Sequence, residues 1–316
     1  MSRRYAIISP CRDEAEFLQT TIDAMAAQTV PPTLWLVVDD GSTDATPEIL
    51  ARAAERLPFL RVLRRQDRGA RAVGPGVVEA FYAGLETIDL DDYDYICKLD
   101  GDLDLPPRYF ERAFERFEAD PWLGNLSGKV FLREHGKLIP ERVGDENAVG
   151  MVKLYRVACF RDIGGFVRQV SWDGIDGHMC RMRGWIASSV PDEEMYVVHL
   201  RLMGSSQHSI WEGRLRWGRG KYFMGSAPYY VAAVAAYRLF ERPFVFGGLC
   251  IFWGYVRAWW RGDARHDDRE YRRYMRRYEL QSLLFGKRRT LQRYNDRIRA
   301  DWPPPDQRST VAAATA

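Results

Sequence analysis

Four short runs of apolar, largely β-branched and aromatic residues, Tyr5–Ser9, Leu34–Val38, Leu60–Leu63 and Tyr93–Leu99, recur along the first third of the chain, and longer segments of helical character separate them. Strands that alternate with helices in this way build a parallel sheet. The helix signals agree with it. Thr46-Pro47-Glu48 offers an N-cap, a proline at the first helical position and an acid in the first turn, while Pro106-Pro107 stops one loop and opens a helix through Phe117. Roughly the first 105 residues therefore read as a half-sheet of βα units, a construction that binds ligands outside the carboxyl ends of its strands.

Beyond residue 125 the pattern is mixed. It predicts a strand at Leu126–Leu132, a helix around Lys153–Phe160, a break at Gly164-Gly165, a helix starting near Gly174 and a strand at Met195–Val198. Residues 228–260 hold the most apolar stretch, Pro243–Val256, with 14 uncharged residues bracketed by arginines. A spanning helix needs about 20, so the stretch reads as a re-entrant or interfacial segment or, alternatively, as a buried core helix. The 316 residues suit one large α/β domain with an appendage: a catalytic domain at 1–225, a helical, amphipathic, basic and aromatic membrane-associated region at 226–299, and a disordered tail at 300–316.

Charge and composition narrow the partners. The formal charge is +3, yet residues 257–299 carry 14 Lys and Arg against 6 Asp and Glu, which leaves residues 1–256 net acidic. A basic excess confined to one end suits an anionic lipid surface better than nucleic acid, which needs basic residues spread over the folded face. The ten Trp residues suggest surfaces that stack sugars or meet lipid. The five cysteines form no C-x-x-C pair and leave one unpaired, as expected of buried thiols in a reducing compartment; with no signal-peptide core at the N-terminus, the reading is cytoplasmic.

Polar residues cluster where the strands end. Ser9-Pro10-Cys11-Arg12-Asp13-Glu14 follows the first strand, and its acids either bind a ligand or complement a helix dipole. Val38-Asp39-Asp40-Gly41-Ser42-Thr43-Asp44 follows the second, where carboxylates can accept hydrogen bonds from a nucleobase or ribose and Gly41 permits a tight turn. Asp67-Arg68-Gly69-Ala70-Arg71 begins a glycine-punctuated loop whose guanidinium groups suit phosphate or plain solvent. Asp100-Gly101-Asp102 ends the fourth strand. Such a pair holds a hard divalent cation, Mg²⁺ or Mn²⁺, which takes oxygen ligands from one or two carboxylates plus a substrate's phosphates.

In the pieces after the first, second and fourth strands, together with Trp172-Asp173-Gly174-Ile175-Asp176, the chain resembles the inverting glycosyltransferases of family 2, over about residues 4–205. The resemblance implies the GT-A fold, a Rossmann-like mixed sheet flanked by helices, and transfer of a sugar from a nucleoside-diphosphate sugar, with uridine the family's common base and guanosine also found. It implies that Asp13 or Glu14 and Asp39 and Asp40 hold the nucleotide and that Asp100 and Asp102 hold the metal and the sugar diphosphate; beside these, Pro10, Arg12, Arg68, Lys98 and Gly101 are further donor-binding candidates and His199 a further candidate metal ligand. The family's base belongs to a Glu-Asp motif at a helix start, which implies Asp176 as base with Asp173 as runner-up, although the Glu is missing and either acid can instead cap a helix. Processive members carry Gln-x-x-Arg-Trp, and Gly213-Arg-Leu-Arg216-Trp217 keeps only the last two residues, which implies single-sugar addition to a glycan or polyprenyl-linked acceptor at the inner face of the cell membrane. Two other readings compete. A sugar nucleotidylyltransferase needs a glycine-rich basic loop after the first strand, where this chain has acids; a non-catalytic membrane-bound nucleotide-sugar-binding adaptor would bind a nucleotide without turnover.

Overall fold

In the computed structural model, which describes residues 3–67, 69, 75–141, 147–169, 171–201, 210–240 and 244–304, the four expected strands form as β1 (Tyr5–Cys11), β2 (Leu34–Asp39), β3 (Leu60–Arg64) and β4 (Tyr95–Leu99). Between them run α1 (Leu18–Ala26), α2 (Thr46–Arg56) and α3 (Pro75–Leu85). There follow β5 (Leu103–Asp104), α4 (Tyr109–Ala119), β6 (Leu123–Gly128), β7 (Val130–Glu134), β8 (Lys137–Pro140), β9 (Val152–Arg156), α5 (Val157–Asp162), α6 (Trp172–Met182), β10 (Ile186–Val190) and β11 (Val197–His199). The main sheet has seven strands in the order β10-β6-β9-β4-β1-β2-β3, parallel except for β9, which runs against both neighbours. A second sheet orders β5-β11-β7-β8.

The strands read as continuous apolar runs because both faces of the main sheet are covered. Successive side chains point to opposite faces. Tyr5, Ile7, Trp35 and Val37 join a core with Ile22, Leu50, Phe110 and Phe114 from α1, α2 and α4. Ala6, Ile8, Leu36 and Val38 join another with Phe81, Phe160 and Trp172 from α3, α5 and α6. Each large side chain so buried contributes about 1.5–3 kcal/mol of transfer free energy. Pro10 lies inside β1 but beyond the β1–β4 register, which stops at Ile8 and Lys98, so its missing N–H breaks no ladder on that side.

Several expected elements move. Lys153–Phe160 is not one helix: β9 runs to Arg156 and α5 starts at Val157. The run Val152-Lys153-Leu154-Tyr155 is buried against β4, and that burial overrides helical spacing. Leu126–Leu132 divides between the two sheets, since β6 ends at Gly128 and β7 begins at Val130. Met195 closes a 3₁₀ turn, and the strand after it is Val197–His199.

The rest is helical, with α7 (Ile210–Phe223), α8 (Pro228–Arg238), α9 (Phe246–Trp260), α10 (Arg269–Phe285) and α11 (Lys287–Asp301). Among the described residues no helix is long and apolar enough to cross a membrane. Tyr271 and Met275 of α10 pack with Ile175 of α6, and Ile298 of α11 enters the larger core. The expected disordered tail does not begin at residue 300. Helix α11 continues to Asp301, the Trp302 ring covers Gly184, and the Trp302 carbonyl accepts from Trp122 Nε1 at 3.1 Å. Residues 305–316 lie outside the described residues.

The junction of the two sheets admits no side chain at residue 128, where a Cβ would stand 1.7 Å from the Met195 carbonyl oxygen. Gly128→Ala is therefore expected to lower the melting temperature by about 5 °C, from a loss of about 2–3 kcal/mol. Gly174→Ala is the control. A Cβ there meets only Met224 Cε at 3.5 Å, so this helical substitution should leave the melting temperature unchanged or raise it, by about 0.5–1 kcal/mol. Thermal unfolding by circular dichroism compares the two, and equal melting temperatures would refute the contact.

Candidate active site

The carboxyl ends of β1 and β2 are stitched together by their own polar residues. Asp13 and Glu14 offer backbone N–H groups to Ser42 Oγ and Thr46 Oγ1, both at 2.9 Å, and Asp13 Oδ1 accepts from Thr43 N at 2.8 Å. Asp13 holds a positive φ of 52°, which a short acidic side chain tolerates. Arg12 turns inward, donating to the Asp40 carbonyl at 2.8 Å and to Asp67 Oδ1 at 2.7 Å. Its guanidinium braces the loops. Gly41 is required, because a Cβ there would come within 2.4 Å of Asp67 Cα.

A cleft of about 500 Å³ opens beside these loops, lined by Gly41–Thr43 and Arg64–Asp67. Asp40 pairs with Arg65 at 2.7 Å on its wall. Asp39 is buried, with Oδ1 accepting from Ser42 N at 2.8 Å, while Oδ2 has no hydrogen-bond partner in the protein. An unsatisfied buried carboxylate oxygen is costly to leave unmade, and it calls for a donor such as a nucleobase N–H. Arg68, expected to contact the donor, lies outside the described residues.

At the end of β4 the two aspartates have different surroundings. Asp100, half-buried, pairs with Lys98, whose Nζ also donates to the Gly150 carbonyl at 2.9 Å. Burial is the largest influence on its carboxyl and lifts it above the usual range, with the charge of Asp102 adding and Lys98 opposing. Asp102 is 2% exposed. Its Oδ2 meets Arg201 Nε and lies 3.3 Å from His199 Nε2, whereas Oδ1 is buried and has no partner in the protein. Burial pushes this carboxyl up, but the hydrogen bond from His199 and the charges of Arg201, His199 and Lys98 outweigh it and hold it below the usual range. Arg201 also donates to Glu14 Oε1 at 2.7 Å, which ties the end of β1 to that of β4.

His199 sits between Asp102 and Glu141, 3.5 Å from Glu141 Oε1. Burial would lower its pKa, yet the two carboxylates prevail and raise it to about 9. No group of three acid, His or Cys side chains converges as a ready metal cage among the described residues. The available oxygens still fit a hard divalent cation, because Asp102 Oδ1 is bare and aspartate pairs normally leave most of the coordination shell to phosphate and water. Gly101 needs no φ that only glycine allows, and a Cβ there would make ordinary contacts of 3.5 Å or more.

The two candidate bases have different surroundings. Asp176 is buried between Lys153, which pairs with both of its oxygens at 2.6 Å, and the Tyr155 hydroxyl, which donates to Oδ2. Both oxygens of Asp176 are thus engaged by the protein, which favours the runner-up, Asp173. Asp173, one turn earlier, is exposed in the first turn of α6. It lies against Gly150, where a Cβ would sit 3.0 Å from its Oδ2, and Gly150 is the residue whose carbonyl Lys98 holds beside Asp100. Arg216 of α7 faces Asp173 electrostatically. Trp172 presents its ring to Lys98 and Lys153, whose Nζ atoms lie 5.5 and 5.3 Å from its centre.

The structure thus brings Asp13, Glu14, Asp39, Asp40, Lys98, Asp100, Asp102, His199 and Asp173 to one edge of the sheet, with Pro10 at the end of β1 behind them. Arg201, Lys153, Tyr155 and Glu141 were not anticipated. Lys153 had a visible signal, as the lone cation of an otherwise buried run; Arg201 had none beyond standing two residues after His199.

Residues 6–128 match the sequence profile of Glycosyl transferase family 2. A poly-beta-1,6-N-acetyl-D-glucosamine synthase of Staphylococcus aureus strain COL is 22% identical over 233 residues, covering 66% of this chain and 52% of that protein. The chain therefore spans about half the length of the curated relatives it matches. Among solved structures, mannosyltransferase PcManGT from Pyrobaculum calidifontis, in complex with GDP-Man and Mn²⁺, superposes with a TM-score of 0.52 at 16% identity over 95% of this chain and 88% of that one. S. aureus TarS 1-349 in complex with UDP-GlcNAc gives 0.51 at 15% identity over 95% and 91%. Profile, relatives and fold agree with the acids at the strand ends: residues 6–128 are similar to family 2 glycosyltransferases, and the chain has the mixed α/β fold of the glycosyltransferases on which it superposes.

Proposed function

We propose that this enzyme moves one sugar from a nucleoside-diphosphate sugar to a hydroxyl of a glycan or polyprenyl-linked acceptor, with inversion, at the inner face of the cell membrane in bacterial polysaccharide or glycolipid synthesis. One observation carries the reading: a buried Asp39 oxygen that makes no hydrogen bond and has only Arg64 at 3.7 Å, a buried Asp102 oxygen with no hydrogen bond, and the exposed carboxylate of Asp173 share one sheet edge. Asp39 binds the base of the nucleotide in the Arg64–Asp67 cleft, and Asp13 and Asp40 fix the walls. Uridine is the first reading and guanosine the second, since UDP-GlcNAc and GDP-Man each occupy a structural neighbour.

Asp100 and Asp102 would hold Mg²⁺ or Mn²⁺ with the diphosphate, and the ion, when bound, offsets negative charge on the leaving group. Asp173 accepts the acceptor's hydroxyl proton as that oxygen bonds to the anomeric carbon and the bond to the diphosphate breaks. Lys153 holds Asp173 in place through its backbone carbonyl, at 2.7 Å, while Asp176 balances the Lys153 charge. Arg216, facing Asp173, borders the acceptor side. Loss of the Gln before Arg216-Trp217 supports single addition, and the basic aromatic C-terminal region supports membrane association.

Calorimetric titration with UDP and GDP, with and without Mn²⁺, should show metal-dependent binding of one nucleotide that Asp102→Asn weakens by about 100-fold. Binding unaffected by metal and by the substitution would overturn the donor site. Asp173→Asn should lower kcat by at least about 10³-fold with an unchanged melting temperature, since only a proton acceptor is lost. Asp176→Asn should instead destabilise the fold by about 3–5 kcal/mol, because Lys153 is left as a buried uncompensated charge. A stable, inactive Asp176→Asn beside an active Asp173→Asn reverses the two roles.

His199 gives a pH signature. Its folded pKa of about 9 lies above its ordinary 6.5, so it adds stability that is full below pH 6.5 and is lost as pH rises through about 9. With chelator present, the wild type should lose on the order of 3 kcal/mol more than His199→Gln between pH 6 and pH 10. Parallel stability curves for the two proteins would refute it.

A further inference from the structure

Helix α9 is built inside out. Its inward stripe carries the small residues Gly247, Gly248, Gly254 and Ala258 beside Ile251 and Tyr255. A Cβ on Gly254 would stand 2.2 Å from the Leu215 carbonyl oxygen of α7, one on Gly218 of α7 would stand 2.0 Å from that of Ile251, and one on Gly248 would stand 2.3 Å from that of Ala235 on α8. The three backbones touch where those side chains are missing. The outward stripe holds the large apolar residues instead: Phe246, Leu249, Trp253 and Trp260, at helical spacing, are 62%, 52%, 51% and 79% exposed. Phe240 and Phe244, before the helix, extend the same kind of surface and are also exposed.

Contiguous exposed apolar patches rimmed by polar residues mark protein or membrane interaction sites. We infer that the exposed stripe of α9, with the aromatic residues before it, docks on an anionic lipid bilayer and lies flat at the headgroup boundary. Charge selects this occupant. No acid lies among residues 243–262, the arginines at 257 and 261 are exposed at the end of the stripe, and residues 257–299 hold 14 Lys and Arg against 6 acids. Arginine with tryptophan at a helix end is the combination that seats at a membrane interface. Length excludes crossing, since 15 residues extend about 22 Å against a hydrocarbon core of about 30 Å.

The docking plane is coupled to the catalytic edge. The crossing through Gly218 and Gly254 fixes α9 to α7, and Met224, directly after α7, packs with Ile175 of α6 and lies 3.5 Å from where a Cβ on Gly174 would stand, next to Asp173. An acceptor anchored in the same bilayer is thereby delivered to one side of the base. This consequence rests on the transferase reading, whereas docking itself does not.

Vesicle flotation of the full chain tests it, with phosphatidylcholine alone and with added phosphatidylglycerol. The wild type should float with the anionic vesicles, and high salt should weaken the association. Phe246→Ser with Trp253→Ser should reduce it about tenfold or more while nucleotide binding by calorimetry is retained. Quenching of wild-type tryptophan fluorescence by brominated lipid provides a readout that needs no variant. Failure of the wild type to float, absence of quenching, or equal flotation of the double variant would each overturn the proposal. So would light scattering that shows a dimer dissolved by the double substitution, since a second copy would then cover the stripe. Loss of nucleotide binding with flotation intact would instead count against the transferase reading alone.

Discussion

Three adjacent strands, β4, β1 and β2, run parallel and are buried on both faces, and each of them ends in acids. Parallel pairing without offset puts those ends at one level, so Asp13 and Glu14, Asp39 and Asp40, and Asp100 and Asp102 crowd along a single edge. Like charges so close oppose folding. The edge persists because cations and backbone N–H groups are threaded through it: Arg12 beneath the Asp40 carbonyl, Arg65 on Asp40, Lys98 on Asp100, and Arg201 spanning Asp102 and Glu14. What remains after this neutralisation is selective. One oxygen on Asp39, with only Arg64 at 3.7 Å, and one on Asp102 make no hydrogen bond, and these can be completed by a ligand's donor or cation.

The parallel core was legible from residues such as Leu34–Val38 and Tyr93–Leu99, because a strand covered on both faces must be apolar throughout. The strand-end acids were legible for the same reason, being the first polar residues after each run. β9 was not. Lys153 breaks its apolar run at a spacing that also suits a helix, and only the partner across the sheet decides the matter. The two acids of α6 show the same limit. Asp173 and Asp176 are three residues apart on one helix, and nothing local separates an exposed carboxylate from one clasped by Lys153 and Tyr155 on a strand more than 20 positions upstream. Whether an acid is a reagent or a brace is a property of its tertiary neighbours.

Trp172 takes part in ordering the charged edge from the side of the core. Lys98 and Lys153 both approach its ring, so the electron-rich face supplies part of the attraction that a carboxylate would give. Unlike a carboxylate, the indole also fills the core, packing with Phe166 at 4.6 Å between ring centres. The two lysines that order the catalytic edge are thus set by one aromatic side chain that belongs to the hydrophobic interior.

The seat of Trp302 bears on how the polypeptide is made. The indole of Trp122 bonds the carbonyl of a residue 180 positions later, Arg299 reaches back to Asp120 at 2.6 Å, and Ile298 fills a space in the core that β1 and β4 also build. During translation the sheet can assemble well before α11 has left the ribosome, but this corner of it stays open to water until residue 302 emerges. The nascent enzyme therefore passes through a period in which its catalytic edge is formed while its core is unsealed. An open core favours proteolysis and association with neighbouring chains, and the docking of α11 closes it.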